Sequence, residues 1–78
     1  EPQLERRMRK VFGLTATQYI LRVRVDTATK LLIDTDEPIA SIAAMCGFYD
    51  QPNFTRQFAR LTNATPAQFR SEHRRRAN

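Results

Sequence analysis

Cysteine is all but missing from this sequence: Cys46 stands alone. One thiol closes no internal disulfide and has no nearby ligand set for zinc, so a reducing compartment fits better than secretion. Glycine and proline are scarce, at two and four residues, and no strictly alternating apolar pattern persists. With abundant Ala, Leu, Arg and Gln, this favours helices over sheet. Long hydrophobic runs are absent too, which excludes a transmembrane helix, and no segment has the charged, apolar, small-residue order of a signal peptide. The expectation is a soluble protein of the cytoplasm. At 78 residues the chain is one domain's worth or less, with a modest core and no room for an elaborate buried catalytic cavity. Ser41, Asp26 and His73 would form a catalytic set only if their separate helices were ignored. No enzyme activity, cofactor or metal is therefore expected.

What is plentiful is positive charge. A net charge of +5 and a pI near 10.4 favour a polyanionic partner. Arg6, Arg7, Arg9 and Lys10 crowd one end, and Arg70, Arg74, Arg75 and Arg76 the other. Between them lies an acidic interval, residues 26–50, in which Asp26, Asp34, Asp36, Glu37 and Asp50 are opposed by Lys30 alone, unsuited to phosphate and open to a protein partner.

The stretch FTRQFARLTNATPAQF, Phe54 to Phe69, has an echo in LERRMRKVFGLTATQY, Leu4 to Tyr19. At an offset of fifty, Arg6 meets Arg56, Thr15 meets Thr65, Gln18 meets Gln68, and Pro2 meets Pro52. Leu4, Met8, Val11 and Tyr19 answer Phe54, Phe58, Leu61 and Phe69, so the helical spacing i, i+4, i+7 is written twice. Gly13 and Asn63, the residue types that most readily turn left-handed at a helix end, close the two copies. A Thr then caps each following helix.

The periodicity predicts a helix from Pro2 to Phe12 and a longer one from Thr15 to about Ile33, with Gln18 completing a capping box. The broad apolar arc of the longer helix, Tyr19, Ile20, Val23, Ala28, Leu31 and Leu32, suits a connector between two small bundles. Arg22 to Asp26 and Asp26 to Lys30 are expected ion pairs at i, i+4. Pro38 to Met45 forms a short helix with Pro38 in its first position and Ile39, Ile42, Ala43 and Cys46 as its core row. A tight turn at Gly47 and Phe48 follows, then a helix over Gln51 to Thr62 capped by Asp50. Thr65 and Pro66 start a closing helix that carries Phe69.

Short helix, Gly-containing turn and second helix with a polar face make the layout of a helix-turn-helix, here residues 38–62. With Phe54, Phe58 and Leu61 inward, Pro52, Asn53, Thr55, Arg56 and Arg60 turn outward and Gln51 sits on the border. Arg bonds bidentately to guanine, Asn and Gln to adenine, and Thr joins a hydroxyl to a methyl contact with thymine. In the earlier copy Pro2, Arg6, Arg9 and Lys10 face outward, with Glu5 at the edge where it accepts from cytosine. The candidates for reading bases are thus Pro2, Glu5, Arg6, Gln51, Asn53, Thr55 and Arg56. Farther along, Arg9, Lys10 and Arg60 suit phosphates. Arg24 either joins them or pins the connector to its neighbours. The counterpart of helix 38–45 would lie before residue 1, so the chain is expected to begin inside its first helix-turn-helix.

The run RVRVDTATKLLIDTDEPIASIAAMCGFYDQPNFTRQFARLTNATPAQFR resembles the C-terminal DNA-binding domain of AraC/XylS-type transcription regulators. Arg24, Ala28, Leu31, Leu32, Ile42, Ala43, Gly47, Phe48, Phe54, Arg56, Phe58, Pro66, Phe69 and Arg70 carry the likeness, which extends over essentially the whole chain. The resemblance implies an all-α fold of two homeodomain-like helix-turn-helix subdomains joined by a long central helix. Here that means residues 1–14 as the end of the first subdomain, 15–34 as connector and 35–78 as the second. It also implies activation, or sometimes repression, at bacterial promoters, with two recognition helices in successive major-groove segments of double-stranded DNA. RNA polymerase, and an effector or dimerisation domain in a parent chain, are further implied partners. Met8, Pro52 and Asn63 depart from the family pattern, and the first two helices are absent. The rival reading is a helical protein-interaction module that uses the acidic surface around residues 26–50.

Overall fold

The computed structural model of the chain describes residues 15–77. Pro2, Glu5, Arg6, Arg9 and Lys10, with the helix expected over Pro2 to Phe12, lie outside the described residues. Within them the backbone forms four helices and no strand: α1, Ala16–Asp34; α2, Ile39–Met45; α3, Gln51–Thr62; and α4, Pro66–Ala77.

Each start and stop has a local cause. At the head of α1, the Thr15 hydroxyl accepts from the Gln18 N–H at 3.1 Å while the Gln18 carboxamide accepts from the Thr15 N–H at 2.9 Å. The head of α4 repeats this capping box with Thr65 and Gln68, at the same 3.1 and 2.9 Å. The second half of the sequence echo is therefore the same local geometry made twice. Helix α2 ends in a Schellman motif: the Phe48 N–H reaches back to the Ala43 carbonyl at 3.0 Å and the Gly47 N–H to Ala44 at 3.2 Å. The motif needs the left-handed conformation at Gly47, whose φ is 86°. Asp50 caps α3 by accepting from the Asn53 N–H at 2.8 Å, and Asn63 closes it with φ 66°.

Two boundaries differ by one residue from the sequence expectation. Helix α1 runs on to Asp34 because the Thr35 N–H and hydroxyl both donate to the Leu31 carbonyl, at 3.0 and 2.6 Å. Pro38 stands just ahead of α2 with an extended ψ of 149°, and only its carbonyl serves the helix, accepting from the Ile42 N–H at 3.0 Å. The expected pairs Arg22–Asp26 and Asp26–Lys30 are not among the ion pairs of the described residues. All three side chains are exposed, where such a pair is worth only about 0.3–0.5 kcal/mol against the entropy of holding it.

The core lies where α1 crosses the other three helices. Val25, Ala28 and Leu32 come from α1, Ile42 and Ala43 from α2, Phe54 and Phe58 from α3, with Cys46 and Phe48 from the turn. Burial pushes the Cys46 thiol pKa up and keeps it a small neutral core group. An aromatic chain runs from the turn to the closing helix: Phe48 to Phe54 at 4.8 Å, Phe54 to Phe58 at 5.6 Å and Phe58 to Phe69 at 5.5 Å between ring centroids. The last two are edge-to-face, an arrangement worth about 0.5–1.5 kcal/mol beyond area burial. On the other side of α1, Ile20 and Val23 stay nearly half exposed.

One long-range fastening was not foreseen from the sequence. Arg70 of α4 donates Nε–H to the Leu32 carbonyl and Nη2–H to the Thr35 carbonyl, both at 3.1 Å. Arg74, one turn on, donates to the same Thr35 carbonyl at 3.0 Å and to the Asp36 carboxylate at 2.6 Å. Two guanidinium groups thus close the C-terminal end of α1, where carbonyls lack helical partners and the helix dipole favours cations.

Candidate nucleic-acid interface

Helix α3 offers one buried side and one open side. Phe54 and Phe58 are fully buried, while Gln51, Pro52, Arg56 and Arg60 are exposed and Asn53 and Thr55 are partly so. Pro52 occupies the second helical position, where a backbone N–H would have no helical partner, so its missing donor costs the helix nothing. At 100° per residue, Pro52 and Arg56 lie nearly opposite Phe54; Thr55 falls on one flank, and Asn53, Gln57 and Arg60 fall on the other.

The Asn53 flank faces α1. An open groove of about 440 Å³ runs between the two helices, with Leu21 and Phe48 among its apolar lining and Arg24, Asn53, Gln57 and Arg60 among its polar lining. Arg60 Nη2–H donates to the Gln57 carboxamide at 2.6 Å. The Arg24 guanidinium lies over the turn, so close that a methyl group on Gly47 would sit 3.3 Å from Arg24 Nε. Arg22 lies across α1 from Arg24, in an adjoining recess whose lining of Gln18, Leu21, Arg60 and Leu61 shares Leu21 and Arg60 with the groove.

The eight described arginines divide by what they touch. Arg70 and Arg74 are spent on the end of α1, and Arg75 and Arg76 both pair with Glu72, at 2.6 and 3.2 Å. Arg60 is held by Gln57. Arg22, Arg24 and Arg56 make no hydrogen bond or ion pair among the described residues. Each arginine of the basic C-terminal run thus has a partner, although Arg74, Arg75 and Arg76 stay exposed in surface pairs, and the guanidinium groups without a partner among the described residues belong to α1 and α3. The acidic interval is partly committed as well, Asp36 to Arg74 and Asp50 to the α3 cap. Arg24 does not pin the connector through any polar bond among the described residues; it lies against the turn with its donors open. Gln57 was missed by sequence reasoning, although its spacing of three from Arg60 was a usable signal. His73 stacks on Phe69, with centroids 5.9 Å apart and planes 26° from parallel.

Comparison with known proteins adds to this geometry. A family model described as "Helix-turn-helix domain" matches residues 1–72. The bifunctional transcriptional activator/DNA repair enzyme AdaA of Bacillus subtilis is 40% identical over 67 residues, covering 86% of this chain and 32% of that protein. The chain spans about a quarter to a third of the length of curated relatives of this kind. Among solved structures, the DNA-binding domain of AdpA in complex with a target DNA matches with a TM-score of 0.88 at 29% identity, covering 96% of this chain and 68% of that one. A transcriptional regulator with an AraC-type DNA-binding domain from Chromobacterium violaceum gives 0.89 at 32% identity, with 92% and 64% covered.

Proposed function

Because the chain belongs to the AraC-type family of helix-turn-helix DNA-binding domains, we propose that it binds a specific promoter sequence in a bacterial transcription regulator, with α3 inserted in the major groove. The observation that carries this reading is the open side of α3: Arg56, exposed and without a polar partner among the described residues, stands beside Pro52 opposite two fully buried phenylalanines. Gln51, Thr55 and Arg56 are the base-reading groups of this helix. Asn53 was assigned with them from sequence, and Arg24 and Arg60 serve phosphates. Pro2, Glu5 and Arg6 would read, and Arg9 and Lys10 would anchor, a second segment about 34 Å along the same face of the duplex. The parallel with the AdpA domain, described in complex with its target DNA, supports this assignment.

Arg56→Ala tests it. Gel-shift titrations should show a loss of about 1–3 kcal/mol on a cognate duplex and little change on random DNA, as for one lost bidentate base contact. Equal losses on both would reduce Arg56 to a phosphate contact. Absence of any duplex binding at low salt would refute the function.

A further inference from the structure

Resting on the duplex-binding reading, we infer that the groove between α1 and the Asn53 flank of α3 is a built seat for the DNA backbone, so that the connecting helix binds DNA and does not merely space the two halves. Arg24 supplies one guanidinium from α1 and Arg60 another from α3, and the Asn53 and Gln57 amides lie between them. Among the described residues no carboxylate lines the groove. Arg24 has no polar partner among the described residues, while Arg60 is oriented by the Gln57 carboxamide at 2.6 Å. Two guanidinium groups on separate helices, lining one groove with no carboxylate among the described residues there, suit a phosphodiester, whose sugar edge can rest on the apolar floor of Ile20, Leu21 and Phe48.

The placement also follows from how a helix sits in the major groove. When its Pro52 and Arg56 side points at base edges, its two flanks face the strands that border the groove. One flank here carries Thr55. The other carries Asn53, Gln57 and Arg60 and is continued by Arg24, so the strand on that side meets α1 as well as α3. This changes the role of Asn53: its amide serves the backbone and not an adenine edge. Gln57 becomes a positioning residue that acts through Arg60. Gly47 gains a second reason to be glycine, since a side chain there would crowd the Arg24 guanidinium, with a methyl group 3.3 Å from its Nε.

The test is the salt dependence of binding by the full chain to a cognate and a random duplex. Arg24→Gln should lower the slope of log K against log salt by about 0.9, one phosphate's worth, and weaken both duplexes by the same factor. Arg24→Lys should keep the slope. Lys30→Gln removes one positive charge from the same helix outside the groove and should leave the slope unchanged. Asn53→Ala should weaken both duplexes equally, and Gln57→Leu should reduce the slope contribution of Arg60 without altering base preference. The inference is overturned if Arg24→Gln and Lys30→Gln behave alike, or if Asn53→Ala relaxes preference at one base pair. It also fails if inorganic phosphate alone stabilises the chain through Arg24 while the DNA slopes do not move. Arg56→Ala in the same series separates this from the wider reading: its specific loss can stand while the seat fails, whereas a wild-type chain that binds neither duplex ends both.

Discussion

Replacing Arg70 by methionine keeps the aliphatic stem that packs beside the core and removes the guanidinium that closes α1. Two bonds of 3.1 Å are lost, to the Leu32 and Thr35 carbonyls. Thr35 retains Arg74 at 3.0 Å, so the Leu32 carbonyl is the group that loses its charged partner. Hydrogen bonds from a charged donor contribute about 1.5–3 kcal/mol, and the partial exposure of Arg70 puts the expected loss near the lower end, at about 1.5–2 kcal/mol. Arg74→Met should cost less, about 0.5 kcal/mol, because its ion pair with Asp36 is exposed to solvent and screened. The two should not add, since both meet the Thr35 carbonyl. Thermal unfolding followed by circular dichroism reads this directly: for a domain of this size 1 kcal/mol is about 4–8 °C in Tm, so Arg70→Met should melt roughly 10 °C lower. A shift of the same small size for Arg70→Met and Arg74→Met would refute the closing role of Arg70.

Three further expectations concern other elements. Gly47→Ala forces a side chain into a φ of 86° and against Arg24, and should destabilise by about 1–2 kcal/mol in urea titrations; an unchanged midpoint would mean the turn relaxes freely. Thr15→Ala and Thr65→Ala remove matching capping hydroxyls, each bonded at 3.1 Å, and should each cost about 1 kcal/mol of unfolding free energy; a severalfold difference would break the equivalence of the two junctions. Glu37→Lys reverses an exposed charge outside the Arg74 pair and should leave duplex binding intact while lowering promoter output, if this acidic turn meets RNA polymerase; unchanged transcription would remove that partner from the turn.

The features readable in advance were those made between near neighbours. Thr15 with Gln18, Asp50 with Asn53 and the left-handed Asn63 depend on residues no more than four apart, so residue type and spacing are sufficient cause. The burial of Ile42, Ala43, Phe54 and Phe58 followed from helical periodicity for the same reason. The closure of α1 by Arg70 and Arg74 was illegible because it joins residues 35 to 39 apart, and only packing decides which carbonyls a guanidinium reaches. A block of tail arginines therefore read as uniform free charge, when Arg70 and Arg74 are bonded to the end of α1 and Arg75 and Arg76 share Glu72 at the surface. The α1 pairs failed in the opposite sense, since spacing permits an exposed ion pair without providing enough energy to hold it. On α3 the sequence separated outward from inward residues, but it did not show that Asn53 and Arg60 share a groove with Arg24. That depends on where α1 crosses, and no local pattern encodes the crossing.

The phenylalanine chain has a consequence for how this helix meets variation in DNA. Phe54 and Phe58 are held edge-to-face with each other and locked to rings from the turn ahead and the helix behind. Rolling helix α3 about its own axis would break the edge-to-face ring contacts and draw buried rings toward water, so the packing opposes that motion. If α3 reads bases as proposed, a changed base pair must be met by the duplex bending or by single side chains swinging. Mismatches should therefore be felt one position at a time, like teeth on a fixed key.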